Sequence, residues 1–195
     1  MRQRGERDPK MKWPDLFKPR RVLGDYDPLN DPTIEQTFYI LAARKRRDVG
    51  RDTQARLYLH DGKRLIVTAV AGISDTGPVA ILDIGSPDRE IGACVREHLL
   101  RFSPDSPSDM RDHKAADWAA FKASKERSVK GFEERCFMVI VQGGSSSATI
   151  DAFPRKGLHP GFSVHATERY DETELGAAIR RTLAGAQALR NAGVL

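Results

Sequence analysis

The sequence is poor in the features that usually announce a chemistry. It has two cysteines in 195 residues, Cys94 and Cys136. Both sit inside apolar patterns, so the expectation is a pair of buried free thiols in a reducing compartment, not a disulfide framework. No apolar run approaches the roughly 18 residues a membrane-spanning helix needs. The N-terminus is arginine-rich but lacks the apolar segment of a secretory signal. These features together predict a soluble, cytoplasmic protein with no membrane segment. A composition of 39% hydrophobic and 30% charged residues suits a folded body with a well-solvated surface, and the length allows one domain or two packed lobes.

Motifs for catalysis and cofactor binding are scarce as well. The five histidines, His60, His98, His113, His159 and His165, have neither an H-x-x-x-H nor a C-x-x-C partner. His98 falls on an apolar helical stripe and reads as a hydrogen-bonded core histidine. Gly143-Gly144-Ser145-Ser146-Ser147 has the composition of a phosphate cradle but no Walker lysine, and it leads into a strand, so it reads as a hairpin turn. No serine lies in a G-x-S-x-G context, and nothing marks Cys94 or Cys136 as a nucleophile. Glu133-Glu134 reads as solvated charge before a strand. Asp151, His159 and His165 form a third-ranked hydrolase candidate that requires the three to converge. The sequence therefore assigns no catalytic, cofactor-binding or metal-ligating residue, and it leaves the partner-binding surface unassigned.

Charge is concentrated at one end. Residues 1–21 hold eight Lys/Arg against three Asp/Glu, which accounts for the whole net charge of +5. Residues 1–33 also contain five prolines and no sustained period, and they read as a basic, poorly ordered arm. That arm can serve solubility, dock onto the body through Trp13, Leu16 and Phe17, or contact nucleic acid; docking or solubility is the preferred reading. Beyond it the pattern divides into a first α+β half at 34–102, a linker and helix at 103–132, and a second α+β half at 133–195, with 34–195 forming one compact domain.

The division rests on a repeat. Glu90-Ile91-Gly92-Ala93-Cys94-Val95-Arg96-Glu97-His98-Leu99 recurs 84 residues later as Glu174-Leu175-Gly176-Ala177-Ala178-Ile179-Arg180-Arg181-Thr182-Leu183, with five of ten positions identical. The fold class expected is α+β, built as two related halves, each a small, mainly antiparallel sheet covered by a helix. In the first half, 33–43 is rich in aromatic and β-branched residues and reads as a strand. The segment 44–56, opening with Arg44-Lys45-Arg46-Arg47, reads as an elongated charged hairpin connection that could grip phosphate or an acidic partner. Strands follow at 55–60 and 63–68 around the Asp61-Gly62 turn, and another at 77–84. A helix at 87–102 is capped by Ser86 with Pro87 at its first position. It buries Ile91, Cys94, Val95, His98, Leu99 and Phe102. A further helix is expected at 112–126, where Trp118 reads as packing onto the second sheet in preference to a partner anchor. The second half holds strands at 136–142, 148–153 and 162–167. Its helix covers 171–190, is capped by Asp171 and buries Leu175, Ala178, Ile179, Thr182, Leu183, Ala186 and Leu189.

Four segments carry a family resemblance: 38–45 (FYILAARK), 86–93 (SPDREIGA), 118–122 (WAAFK) and 171–179 (DETELGAAI). In their order and spacing the chain resembles the immunity proteins of bacterial contact-dependent growth inhibition systems. The resemblance implies a cytoplasmic protein without catalysis or cofactor. Its partner would be the toxic domain, often a nuclease, that neighbouring cells deliver. An inhibitor of a nuclease often presents acidic groups to a basic cleft. The body here is neutral overall, so Asp105, Asp109 and Asp112 are the candidates for an acidic cluster. The alternative is a nucleic-acid-binding module using the basic arm and 44–56.

Overall fold

The structure is a computed structural model that describes residues 32–105, 118–153 and 163–193, with side chains from Thr37 onward. Of the arm expected at 1–33, residues 1–31 lie outside the described residues, as do the stretches containing Asp109, Asp112, His113 and His159, while Pro32 and Thr33 begin a helix. The described elements run in the order α1 (Pro32–Val49), β1 (Thr53–His60), β2 (Arg64–Ala71), β3 (Ser74–Asp83), α2 (Asp88–Leu100), α3 (Ala119–Ser124), α4 (Val129–Arg135), β4 (Cys136–Gly143), β5 (Ser147–Phe153), β6 (Val164–Arg169) and α5 (Glu172–Asn191).

The α+β class holds, but the strands do not form a sheet per half. All six join one antiparallel sheet in the order β3-β2-β1-β4-β5-β6. The seam is β1 against β4, paired over their whole lengths from Thr53↔Gly143 to His60↔Cys136. Two local meanders thus meet edge to edge. The physical reason lies in the strands themselves. β1 and β4 are largely buried, and such runs are stable only at the centre of a sheet with both neighbours present.

A second expectation fails at the start of the chain. Residues 33–43 are not a strand but the body of α1, which continues through Arg44–Arg47, so 44–56 is no hairpin connection either. Phe38 and Ala42 are buried one helical turn apart. The Leu-Ala-Ala-Arg-Lys-Arg-Arg run consists of strong helix formers. Arg46 and Arg47 occupy the last turn, where cations suit the negative end of the dipole. Gly50, at φ +70°, closes the helix by donating its N–H to the Arg46 carbonyl at 2.8 Å. The Asp61-Gly62 turn is as expected, with both residues at positive φ.

One face of the sheet carries α1, α2 and α5. Leu57, Leu65, Val67, Val139, Val141, Ile150 and Ala152 meet Ile91, Val95, Leu99, Leu175, Ile179 and Leu183 there. The expected stripe of α2 is buried except for the half-buried Cys94. Ser86 does not cap α2. Pro87 occupies the cap position and offers no side-chain bond, so Pro87 is outside the first helical turn. Asp171 does cap α5, accepting from the Glu174 N–H at 2.9 Å. Leu189, expected in the core, is 36% exposed. The opposite face is covered over β1–β3 by α3 and by the unforeseen α4, whose Phe132 packs with Tyr58, Ile66 and Ala120. Ser128 starts α4 by accepting from the Gly131 N–H. Of the helix expected at 112–126, residues 112–117 lie outside the described residues, and α3 runs from Ala119 to Ser124 with Lys125 closing it at φ +62°. It lies on β2 and β3, so the helix that follows Trp118 covers first-half strands and not a second sheet.

The repeated segment marks the crossing of α2 and α5, and the contact is reciprocal. A Cβ on Gly92 would lie 2.9 Å from the Glu172 Cα and closer still to its carbonyl; a Cβ on Gly176 would meet Asp88 in the same way. Arg96 reaches the Glu172 carboxylate at 3.0 Å, and Arg180 reaches that of Asp88. Each helix therefore receives the first turn of the other on its glycine and holds it with its arginine. This is the self-complementary pattern of an isologous interface, within one chain.

Candidate functional site

Four polar constellations stand out, and the first two are closed on themselves. The first lies where the β1–β2 turn meets α4. His60 is buried, with Nε2 2.8 Å from Glu126 Oε1 and Nδ1 2.9 Å from an Arg64 nitrogen. Arginine can only donate, so Nδ1 accepts and Nε2–H donates to Glu126. Arg135 then donates to both Asp61 oxygens and to Glu126. His60, Asp61 and Glu126 place three potential ligand atoms within 4.8 Å of one another, but Arg64 and Arg135 occupy their lone pairs and neutralise the carboxylates. The arrangement braces the hairpin to α4.

The second sits on the sheet face opposite α2 and α5. Asp75, its side chain fully buried, accepts from Arg56 Nη1 at 3.1 Å and from the Tyr58 hydroxyl at 2.6 Å. Burial pushes the Asp75 carboxyl above its ordinary range, while Arg56 and then Tyr58 pull it back. Burial, and then the neighbouring Asp75, push the Tyr58 phenol well up. The Arg56 Nε is buried with no hydrogen-bond partner, a cost of about 1–3 kcal/mol for such a group.

The third answers the hydrolase expectation in part. Asp151 and His165 do converge across β5 and β6, with Nδ1 3.0 Å from Oδ1, and Ser163 and Thr167 join them at 3.2 and 3.3 Å. His159 lies outside the described residues. The His165 side chain is 55% exposed on an open strand face. Of the pair expected to be solvated, Glu134 is exposed on α4 and Glu133 is half-buried. His98 is a core residue, its ring nitrogens facing the carbonyls of Cys94 at 2.8 Å and Pro78 at 3.2 Å.

Both cysteines are free, as their apolar settings foretold. Burial, and then Glu97 and Glu90, push the Cys94 thiol up to about 11. Burial, and then Asp61 and Glu126, push that of Cys136 up to about 12. Alkylation of the folded protein by iodoacetamide at pH 7.5 is therefore expected to be roughly a hundredfold slower than for an unstructured cysteine. Denaturant should restore the ordinary rate. Fast labelling of either thiol in the folded chain would contradict this account.

The fourth constellation is open. Around α1, Thr37, Ile40, Leu41, Arg44, Arg47 and Asp48 are all exposed, and their positions fall on one side of the helix. Opposite them, Phe38 packs on Tyr170 at 5.0 Å between ring centroids, and the Arg96 guanidinium lies 4.2 Å over the Phe38 ring. Arg46 pairs with Asp52 at 2.6 Å. Arg44 and Arg47 share Asp48 at 3.9 and 3.6 Å. The sequence singled out these arginines but set them on a hairpin. Their helical context, and the aliphatic pair beside them, were missed.

No family model matches the chain, and no curated protein matches it. Solved structures do. A Neisseria meningitidis protein of unknown function is similar with a TM-score of 0.54 and 17% identity, covering 69% of this chain and 95% of that one. A CdiA-CT/CdiI toxin and immunity complex from Yersinia pseudotuberculosis matches with a TM-score of 0.48 and 13% identity, covering 69% of this chain and 97% of the matched chain. The likeness to the Neisseria protein is one of fold.

Proposed function

We propose that the chain is an immunity protein that binds and neutralises a cognate toxin domain in the cytoplasm, with no catalysis of its own. The observation that carries this reading is where the resemblance segments fall. Residues 38–45 belong to α1, 86–93 open α2, 118–122 open α3 and 171–179 open α5. Three of these helices share one face of the sheet. The resemblance thus falls on helices that build the fold, and on α1 it extends to the exposed positions Ile40, Leu41 and Arg44. We also propose that the two β-β-β-α segments are related by duplication; the reciprocal seating of Gly92 and Gly176, with Arg96 and Arg180, supports it.

The test is co-expression with the toxin domain encoded beside it. Restored growth and co-purification of a stable complex are the expected results. Continued toxicity with no complex would sink the reading. The nucleic-acid alternative keeps one observation in its favour: residues 44–52 hold five cations against two carboxylates.

A further inference from the structure

Helix α1 presents to solvent what helices usually bury. Ile40 is 50% and Leu41 39% exposed, adjacent on the outward side, and one turn further on come Arg44 and then Arg47. A lone exposed leucine means little, but an aliphatic pair flanked by arginines has the make-up of an interface centre. The cations are also in excess. Arg44 and Arg47 have only Asp48 between them, and neither Lys45 nor Arg51 has a carboxylate within ion-pair distance among the described residues. Arg51 rests instead 5.1 Å over the Phe102 ring, just beyond the end of α1.

We propose that the outward face of α1, comprising Ile40, Leu41, Arg44 and Arg47, with Arg51 beside it, is the surface that docks the toxin domain. The patch it meets on the toxin is an apolar groove rimmed by acidic side chains. This deepens the immunity reading and rests on it. Charge selects the occupant. A second copy of this chain docking here would bring two arginines per copy, Arg44 and Arg47, against the single carboxylate of Asp48, so like charges would be left facing each other. A nucleic-acid backbone would pair with the arginines but leave Ile40 and Leu41 facing phosphate. An acidic rim around an apolar groove satisfies both groups, as an amphipathic helix does in a groove. A nuclease holds its substrate in a basic cleft, so a cationic helix is repelled from the cleft itself. Inhibition of such a toxin then works from a neighbouring acidic patch, by blocking the approach of nucleic acid.

The experiment measures binding of the full chain to the neighbouring toxin domain, in a catalytically inactive form, by calorimetry. Arg44→Glu with Arg47→Glu, and separately Ile40→Ser with Leu41→Ser, are each expected to weaken binding about 30-fold or more. All four positions are exposed, so the denaturation midpoint should be unchanged. Arg127→Glu with Lys130→Glu imposes the same charge change on two other exposed positions and should alter affinity less than about twofold. If the unaltered chain binds and the α1 variants bind equally well, the surface is wrong and the immunity reading stands. If the unaltered chain does not bind, both fall. If only the arginine variant is weakened, and a short DNA duplex competes with the toxin for the chain, the face is a phosphate-binding surface and the proposal is overturned.

Discussion

Alanine at Gly176 is expected to destabilise the fold by about 3 kcal/mol, a drop of roughly 6–12 °C in Tm for a chain of this size. Two effects oppose each other. In an isolated helix the substitution would gain about 1 kcal/mol of propensity. Here the new methyl group would lie 2.9 Å from the Asp88 Cα and closer to its carbonyl. That neighbour is backbone and cannot rotate away, so α2 must move, and with it the buried stripe of Ile91, Val95 and Leu99. Overpacking wins. The same holds for Gly92→Ala against Glu172, and the two should not add. Once one methyl has parted the helices, the second meets a gap that is already open. Urea denaturation of both single variants and the double gives the coupling directly. Neutral or stabilising alanines at either site would show that the close crossing is not what the glycines are for.

Arg56→Met is expected to cost about 3–5 kcal/mol at neutral pH, the range for a buried ion pair that loses one partner. The distinguishing feature is its pH dependence. Burial already raises the Asp75 carboxyl above its ordinary 3.8, and Arg56 is the foremost influence pulling it down. Removing the arginine raises the folded-state value further. A carboxyl raised by folding gives its full stability below the unfolded value and loses it as pH climbs through the folded one. The variant should therefore be least impaired near pH 4 and progressively worse toward pH 8. Stability curves at several pH values, for the variant and the unaltered chain, measure the difference. A penalty that does not change with pH would mean that Asp75 is held by Tyr58 alone.

What could be read in advance follows from which side of each element is buried. The runs at 55–60, 63–68 and 136–142 are largely buried because they lie at or beside the seam, and they were legible as strands. The stripe of α2 and that of α5 were legible because only one side of each is apolar. α1 was not legible, and the reason bears on function. With Ile40 and Leu41 outward and Phe38 and Ala42 inward, its apolar residues run without a helical period, which mimics a buried strand. A local rule broken in this way is expected where a surface has a task beyond folding. The single sheet was not legible for a different reason: strand patterns specify faces, not neighbours, and nothing in 136–142 names β1 as its partner. Of the polar clusters, only the pairing of Asp151 with His165 was foreseen. The bracing of His60 by Arg64, Glu126 and Arg135 depends on α4, whose sequence carries a single buried aromatic, Phe132.

The seam between β1 and β4 also settles how much unpaired backbone the molecule presents. Two separate three-stranded sheets would have four edge strands, each offering a row of unsatisfied N–H and C=O groups to any other extended chain. Joined as β3-β2-β1-β4-β5-β6, the described strands leave two. The pair removed from exposure comprises β1 and the markedly apolar β4, two strands that would be among the most adhesive if left open. One of the two remaining edges is β3, where Pro78 lacks a donor and the register slips between Thr68 and Ala69 on the neighbouring strand, both of which discourage further pairing. The fusion therefore protects the chain from its own strands as well as completing its core.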